Sequence, residues 1–138
     1  MMVSTKGRYA LRVLVDLAVN SQGNYVSLKG VAQRQEVSMK YLENIVALLS
    51  KAGFVESLRG KNGGYRLKYE PSKYTIGSVL KLTEGTLSPV SCSELSGETE
   101  CARSEHCITL PLWRKLDKII DDYLESVTLE DLINKNIE

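Results

Sequence analysis

Apolar positions at steps of three and four define most of this chain. Tyr9, Ala10, Val13, Leu14 and Leu17 mark the buried face of a first helix. Ser4 or Thr5 caps it, and it is predicted to reach about residue 18 with Lys6, Arg8 and Arg12 on its polar side. Residues 20–24 read as a loop, Tyr25-Val26 as a short strand, and Ser27 as the cap of a short helix with Val31 and Ala32 as its apolar points. Ser38 caps a third helix, predicted to about residue 52 and stopped by Gly53. Its apolar face carries Tyr41, Leu42, Ile45, Leu48 and Leu49, and Lys40, Glu43, Asn44, Ala47 and Lys51 lie opposite. The period then changes to two. Residues 54–58 alternate as a strand, and residues 65–69 are its mate across the glycine-rich turn Arg59-Gly60-Lys61-Asn62-Gly63-Gly64. Glu70-Pro71-Ser72 breaks the chain, and Thr75 caps a helix over 76–84 that Gly85 ends. Residues 86–104 have no periodicity. Pro111 opens a long helix to residue 127, and Thr128 with Asp131 forms a capping box that starts a last short helix over 129–134.

Two helices joined by a tight turn and followed by a basic hairpin make a winged helix-turn-helix. The fold class expected is mainly α with a small β-hairpin wing and a long dimerisation helix. Residues 1–70 form the DNA-binding unit, 71–108 a connecting helix and cysteine-bearing loop, and 109–138 the dimerisation helix and a short C-terminal helix. Leu112, Leu116, Ile119, Ile120, Tyr123 and Leu124 form a stripe on the long helix with no evident partner in so short a chain. Pairing with a second copy is the expected solution.

Charge sharpens this picture. The formal net charge of +1 conceals two halves of opposite sign. Residues 1–69 hold 11 Lys and Arg against 4 Asp and Glu, a balance of +7; residues 70–138 hold 7 against 13, a balance of −6. The basic half is the one with the helix-turn-helix, so a polyanion, double-stranded DNA, is the expected partner. Ser38, Met39, Lys40, Tyr41 and Glu43 head the recognition helix toward the major groove, and Arg59, Gly60 and Lys61 of the wing reach the minor groove. Thr5, Lys6 and Arg8 are placed to hold phosphate. Glu43 is the exception in sign: a carboxylate beside DNA is repelled unless it accepts from cytosine N4, so it discriminates between sites. With one histidine, no nucleophile elbow and no phosphate loop after a strand, no catalytic set assembles, and neither an enzyme nor a small-molecule substrate is expected. No apolar run approaches about 18 residues and no secretory leader is seen, which predicts a cytoplasmic protein with no membrane contact.

Cys92, Cys101 and Cys107 follow a C-x8-C-x5-C pattern within the irregular stretch and the turn after it. Thiolates suit zinc or iron–sulfur clusters. The gaps exceed the C-x2-C of zinc fingers, and longer gaps let a loop wrap a larger object than one ion. A fourth ligand is needed: His106 is the sole histidine, and Glu94, Glu98, Glu100 and Glu105 are alternatives. The competing interpretation is a regulator that docks on a metabolic enzyme and uses its cysteines only as thiols.

The opening Ser4-Thr5-Lys6-Gly7-Arg8-Tyr9-Ala10, Tyr41-Leu42-Glu43, the wing Arg59-Gly60-x-x-Gly63-Gly64-Tyr65, Leu112-Trp113 and Thr128-Leu129-Glu130-Asp131-Leu132 resemble the IscR/NsrR/CymR family of winged-helix transcription regulators. These motifs span nearly the whole chain. The resemblance implies a homodimer that crosses its long helices. The three-cysteine loop places the chain nearer the iron–sulfur members than the cysteine-metabolism members that lack the loop. It implies a labile cluster, 2Fe-2S in preference to 4Fe-4S, and control of iron–sulfur cluster assembly genes. A cluster-free regulator controlled by a bound partner enzyme, by thiol redox or by nitric oxide is the alternative within the same family. The family often has a histidine three residues after its last cysteine; Leu110 stands there in this chain.

Overall fold

A computed structural model of the chain describes residues 3–92 and 106–137. Of the six described α-helices, five start on a Ser or Thr hydroxyl that accepts from the backbone N–H three residues on: Ser4, Ser27, Ser38, Thr75 and Thr128. They are α1 (Thr5–Ser21), α2 (Leu28–Gln35), α3 (Met39–Lys51), α4 (Ile76–Glu84) and α6 (Leu129–Ile133). The exception is α5 (Leu110–Ser126), whose first turn contains Pro111 instead. Strands β1 (Val55–Leu58) and β2 (Gly64–Leu67) pair antiparallel, Val55 opposite Leu67 and Leu58 opposite Gly64. Val26 adds an edge to β2 through two hydrogen bonds of 2.8 Å with Tyr65. The fold is a winged helix with an added C-terminal helical arm.

One core joins all parts. Ala10, Val13, Leu14 and Leu17 of α1 meet Val31 of α2, Leu42, Ile45, Val46 and Leu49 of α3, Val79 and Leu80 of α4, and Leu129 of α6. Val46, absent from the apolar set expected for the third helix, is as buried as its neighbours, because the core surrounds more than one stripe of α3.

Boundaries differ from expectation by more than one residue at two places. α1 runs to Ser21 rather than about residue 18, where Gln22 turns left-handed at φ 44°. Its last turn is held by the Asn20 side-chain amide donating to the Asp16 carbonyl at 2.9 Å, and it is too polar to register as apolar periodicity. The hairpin is shorter than predicted: Phe54 precedes β1, and Lys68 and Tyr69 lie beyond β2. The two amides after β2 donate to the hydroxyl of Tyr74, and that of Lys68 also donates to the Phe54 carbonyl at 3.2 Å.

The stripe on α5 is divided. Ile120, Leu124 and Val127 pack against the core of their own chain, whereas Leu112, Leu116, Ile119 and Tyr123 are exposed. On the α4 side Lys81 pairs with Asp121 at 2.6 Å and Glu125 at 2.9 Å. Gly77 makes the close approach possible, since a Cβ there would run into the Glu125 carboxylate. Ile120 and Leu124, assigned above to the stripe that faces a second copy, thus lie toward the chain's own core.

Candidate nucleic-acid interface and cysteine segment

The position of α3 is set by what grips its neighbours. Asp16 lies on the buried face of α1, only 4% exposed. An isolated carboxylate there would be costly, so it must be paired. Its oxygens accept from Arg34 Nη2 at 2.7 Å, Arg34 Nε at 3.0 Å and Gln35 Nε2 at 2.8 Å. Hydrogen bonding to Asp16 raises the pKa of Arg34, against desolvation, which lowers it. Gln35 is held from its other side by Arg12, whose guanidinium donates to the Gln35 side-chain oxygen and backbone carbonyl, each at 2.9 Å. That guanidinium also stacks 4.5 Å over Tyr9, and Tyr9 meets Tyr41 edge to face at 5.9 Å. The last turn of α2 and the first turn of α3 are therefore both fastened to α1. Apolar periodicity gives no notice of Asp16. The available signal is an acid at a core-face position with an arginine inside the next helix.

Ser38 uses its hydroxyl to cap α3 by accepting from Tyr41 N at 3.2 Å, and the half-buried Tyr41 packs edge to face on Tyr9. Met39, Lys40 and Glu43 are exposed. At the start of α1, Thr5, Lys6 and Arg8 are exposed, and Arg8 donates to the Thr5 hydroxyl at 3.1 Å. That turn is tied to the end of α4: the Glu84 carboxylate accepts from the Ser4 amide at 3.0 Å and hydroxyl at 2.6 Å. An acid at a helix N-terminus complements the macrodipole. Gly7 is buried beside it, where a Cβ would collide with the same carboxylate.

Two glycines shape the wing. A Cβ at Gly63 would strike the Leu58 carbonyl, and Gly64, at φ +152°, lies against the Val26 carbonyl. The hairpin closes tightly, and its turn presents Arg59, Gly60 and Lys61, all exposed. At its base Arg66 pairs with Glu56 at 2.7 Å and stacks 4.3 Å over Tyr25. Arg34 and Arg66 are thus internally neutralised, while Lys6, Lys40, Arg59 and Lys61 form no ion pair among the described residues. These four exposed cations sit on the start of α1, the start of α3 and the wing turn.

Cys92 and Cys107 carry half-buried thiols at the two ends of residues 93–105, and Cys101 lies within that stretch, outside the described residues. Cys107 Sγ is 3.3 Å from the Thr109 hydroxyl. His106 is exposed and directly precedes it. Among the described residues no three His, Cys, Asp or Glu side chains come together as a metal site. No described helix is long and apolar enough to cross a membrane.

Comparison with known proteins agrees with this geometry. Residues 3–135 match the family model Rrf2, described as an iron-dependent transcriptional regulator. The transcriptional regulator IscR of Vibrio campbellii is 38% identical over 136 residues, covering 99% of this chain and 79% of that protein. Among solved structures, CymR, the global cysteine regulator of Bacillus subtilis, superposes with a TM-score of 0.78 at 38% identity, covering 98% of both chains. T. potens IscR gives 0.78 at 35% identity over 99% of this chain and 89% of that one.

Proposed function

The chain belongs to the Rrf2 family of transcriptional regulators, and from that premise we propose a cytoplasmic, homodimeric DNA-binding protein whose site affinity is switched by an iron–sulfur cluster. The observation that carries the DNA contact is the set of unneutralised cations on α1, α3 and the wing, each on an element whose other face is locked into the core. The first turn of α3 supplies the major-groove contacts, with Glu43 as discriminator, and Arg59 enters the minor groove. Leu112, Leu116, Ile119 and Tyr123, exposed on one side of α5, form the dimer contact. The second subunit sets the spacing of two half-sites about one helical turn, ~34 Å, apart.

The donor chemistry fits a cluster in Cys92, Cys101 and Cys107, with 2Fe-2S as the type and His106 as the candidate fourth ligand. When bound, the cluster supplies a redox- and iron-responsive link among three thiolates. What the chain contributes is position: Gly85 and the cysteine segment follow Glu84, which holds the first turn of α1, and Cys107 leads into α5. The genes proposed for control are those of iron–sulfur cluster assembly, on the likeness to IscR. A second reading, a cluster-free regulator acting through its thiols, draws on the equally good superposition with the cysteine regulator CymR. Anaerobic purification separates them. The first expects visible absorption with stoichiometric iron and acid-labile sulfide, lost on Ala substitution of any of the three cysteines. Colourless, iron-free protein expects the second.

A further inference from the structure

Tyr74 is 3% exposed, yet its ring ends in a hydroxyl that must be satisfied. That hydroxyl accepts from the amides of Lys68 and Tyr69, each at 3.1 Å, and donates to the Phe54 carbonyl at 2.5 Å. A hydroxyl has one donor and two acceptor lone pairs, so its capacity is filled. The three partners are the residue before β1 and the two after β2: the open end of the wing. The rings of Phe54 and Tyr69 pack on the same tyrosine, with centroids at 5.6 Å and 6.3 Å.

The backbone of this residue points the other way. Its carbonyl accepts from Leu129 N at 3.0 Å at the start of α6, and Ile76 N donates to the Val127 carbonyl at 2.8 Å at the end of α5. One residue therefore joins the base of the wing to the end of the arm.

We infer that Tyr74 is a positioning residue for DNA binding, its hydroxyl being the post that fixes the wing to the arm so that Arg59 is held where it reads DNA. This rests on the wing contact proposed above. A two-stranded hairpin of four residues a side is marginal by itself, so its orientation comes from its anchors: the Val26 bridge to Tyr65 on β2, and the Tyr74 hydroxyl at its base. Four residues of strand span roughly 13 Å. A tilt of about 10° at the base then moves the turn by about 2 Å, enough to break a direct hydrogen bond, whose usable range is only about 0.5 Å wide.

The test is a pair of double-mutant cycles, read by fluorescence anisotropy on a duplex selected by the wild-type dimer from a random-sequence pool. Arg59→Ala is expected to weaken binding about tenfold in the wild type. In Tyr74→Phe it is expected to cost less than about threefold, because the misplaced wing has little left to lose. Lys40→Ala, on the recognition helix, should cost the same in both backgrounds, which a general loss of stability would not produce. An equal Arg59→Ala loss in both backgrounds overturns the inference. Should Arg59→Ala cost nothing in the wild type, the wing's contact with DNA fails instead, and hydrogen exchange decides the post. The Tyr69 amide of the wild-type protein is expected to exchange at least about tenfold more slowly than those of Lys61 and Asn62 in the wing turn. An unprotected Tyr69 amide overturns the inference whether or not Tyr74→Phe folds.

Discussion

α3 and α5 are both amphipathic, and they use their apolar faces in opposite ways. In α3, Leu42, Ile45, Val46 and Leu49 are all 1% exposed or less, so the helix is fully committed to its own core. Its polar face is what remains outside, and there Lys40 and Glu43 stand without ion-pair partners among the described residues. In α5, Leu110 alone among the apolar residues is buried, and Leu112, Ile119 and Tyr123 are more than half exposed. The first helix offers polar groups on a rigid base. The second offers apolar surface that its own chain leaves uncovered. Periodicity announces that a face exists; the rest of the core decides whether anything in the same chain covers it.

The sharpest way to break this contrast is to put charge on each half of the divided stripe. Ile119→Asp with Tyr123→Asp should give a folded monomer by sedimentation, with near-native circular dichroism. Ile120→Asp with Leu124→Asp should unfold the chain, because it drives carboxylates against the core. Both pairs giving folded monomers would mean that the whole stripe faces a partner. A milder pair of changes makes the same point. Leu42→Ala should lower the unfolding free energy by about 2–5 kcal/mol in denaturant titrations. Leu112→Ala, on the same exposed half, should stay within about 0.5 kcal/mol when measured on the Ile119→Asp, Tyr123→Asp monomer.

The contrast also predicts how DNA binding fails. Removing Lys40 or Lys61 should reduce the slope of log affinity against log salt by about 0.9 per lost phosphate contact. Arg59→Ala should cost about 1–3 kcal/mol and relax preference at the base pairs it reads. A loss equal on selected and random duplexes would leave Arg59 a phosphate contact only.

Much of this was legible in the residues. Ser4, Ser27, Ser38, Thr75 and Thr128 announce helix starts because a hydroxyl before an apolar repeat has few other uses. The wing declares itself through Gly63 and Gly64, which fit where a Cβ would meet backbone carbonyls. The apolar stripe of α5 was legible as a stripe but not as two halves. Its division follows from how α5 packs on the rest of the core, contacts made across 40 or more residues, as are the Lys81 pairs with Asp121 and Glu125, that no local pattern contains. Asp16 and Tyr74 escaped for the same reason: their partners are far along the chain or are backbone groups. Of the cysteine site, sequence shows the donors, and Cys101 lies outside the described residues.

The smallest effect concerns alkaline pH. Burial raises the phenol of Tyr74 above its ordinary value of 10.0, while the Tyr69 and Lys68 backbone hydrogen bonds work against this. A raised folded value means the unfolded chain ionises first. The contribution is therefore intact below pH 10 and lost as pH climbs through the folded value. The Tyr74 phenol should ionise late, and Tyr74→Phe should lack that late phase in phenolate absorbance.

The switch is tested most directly by affinity for one panel of selected duplexes, at one salt concentration, for cluster-loaded protein, apo-protein and the Ala variants of Cys92, Cys101 and Cys107. The loaded dimer is expected to bind a subset of sites that apo-protein does not, with each variant matching the apo pattern while remaining a folded dimer. Identical affinities across the panel, with iron and sulfide verified in the loaded sample, would contradict a cluster-switched regulator.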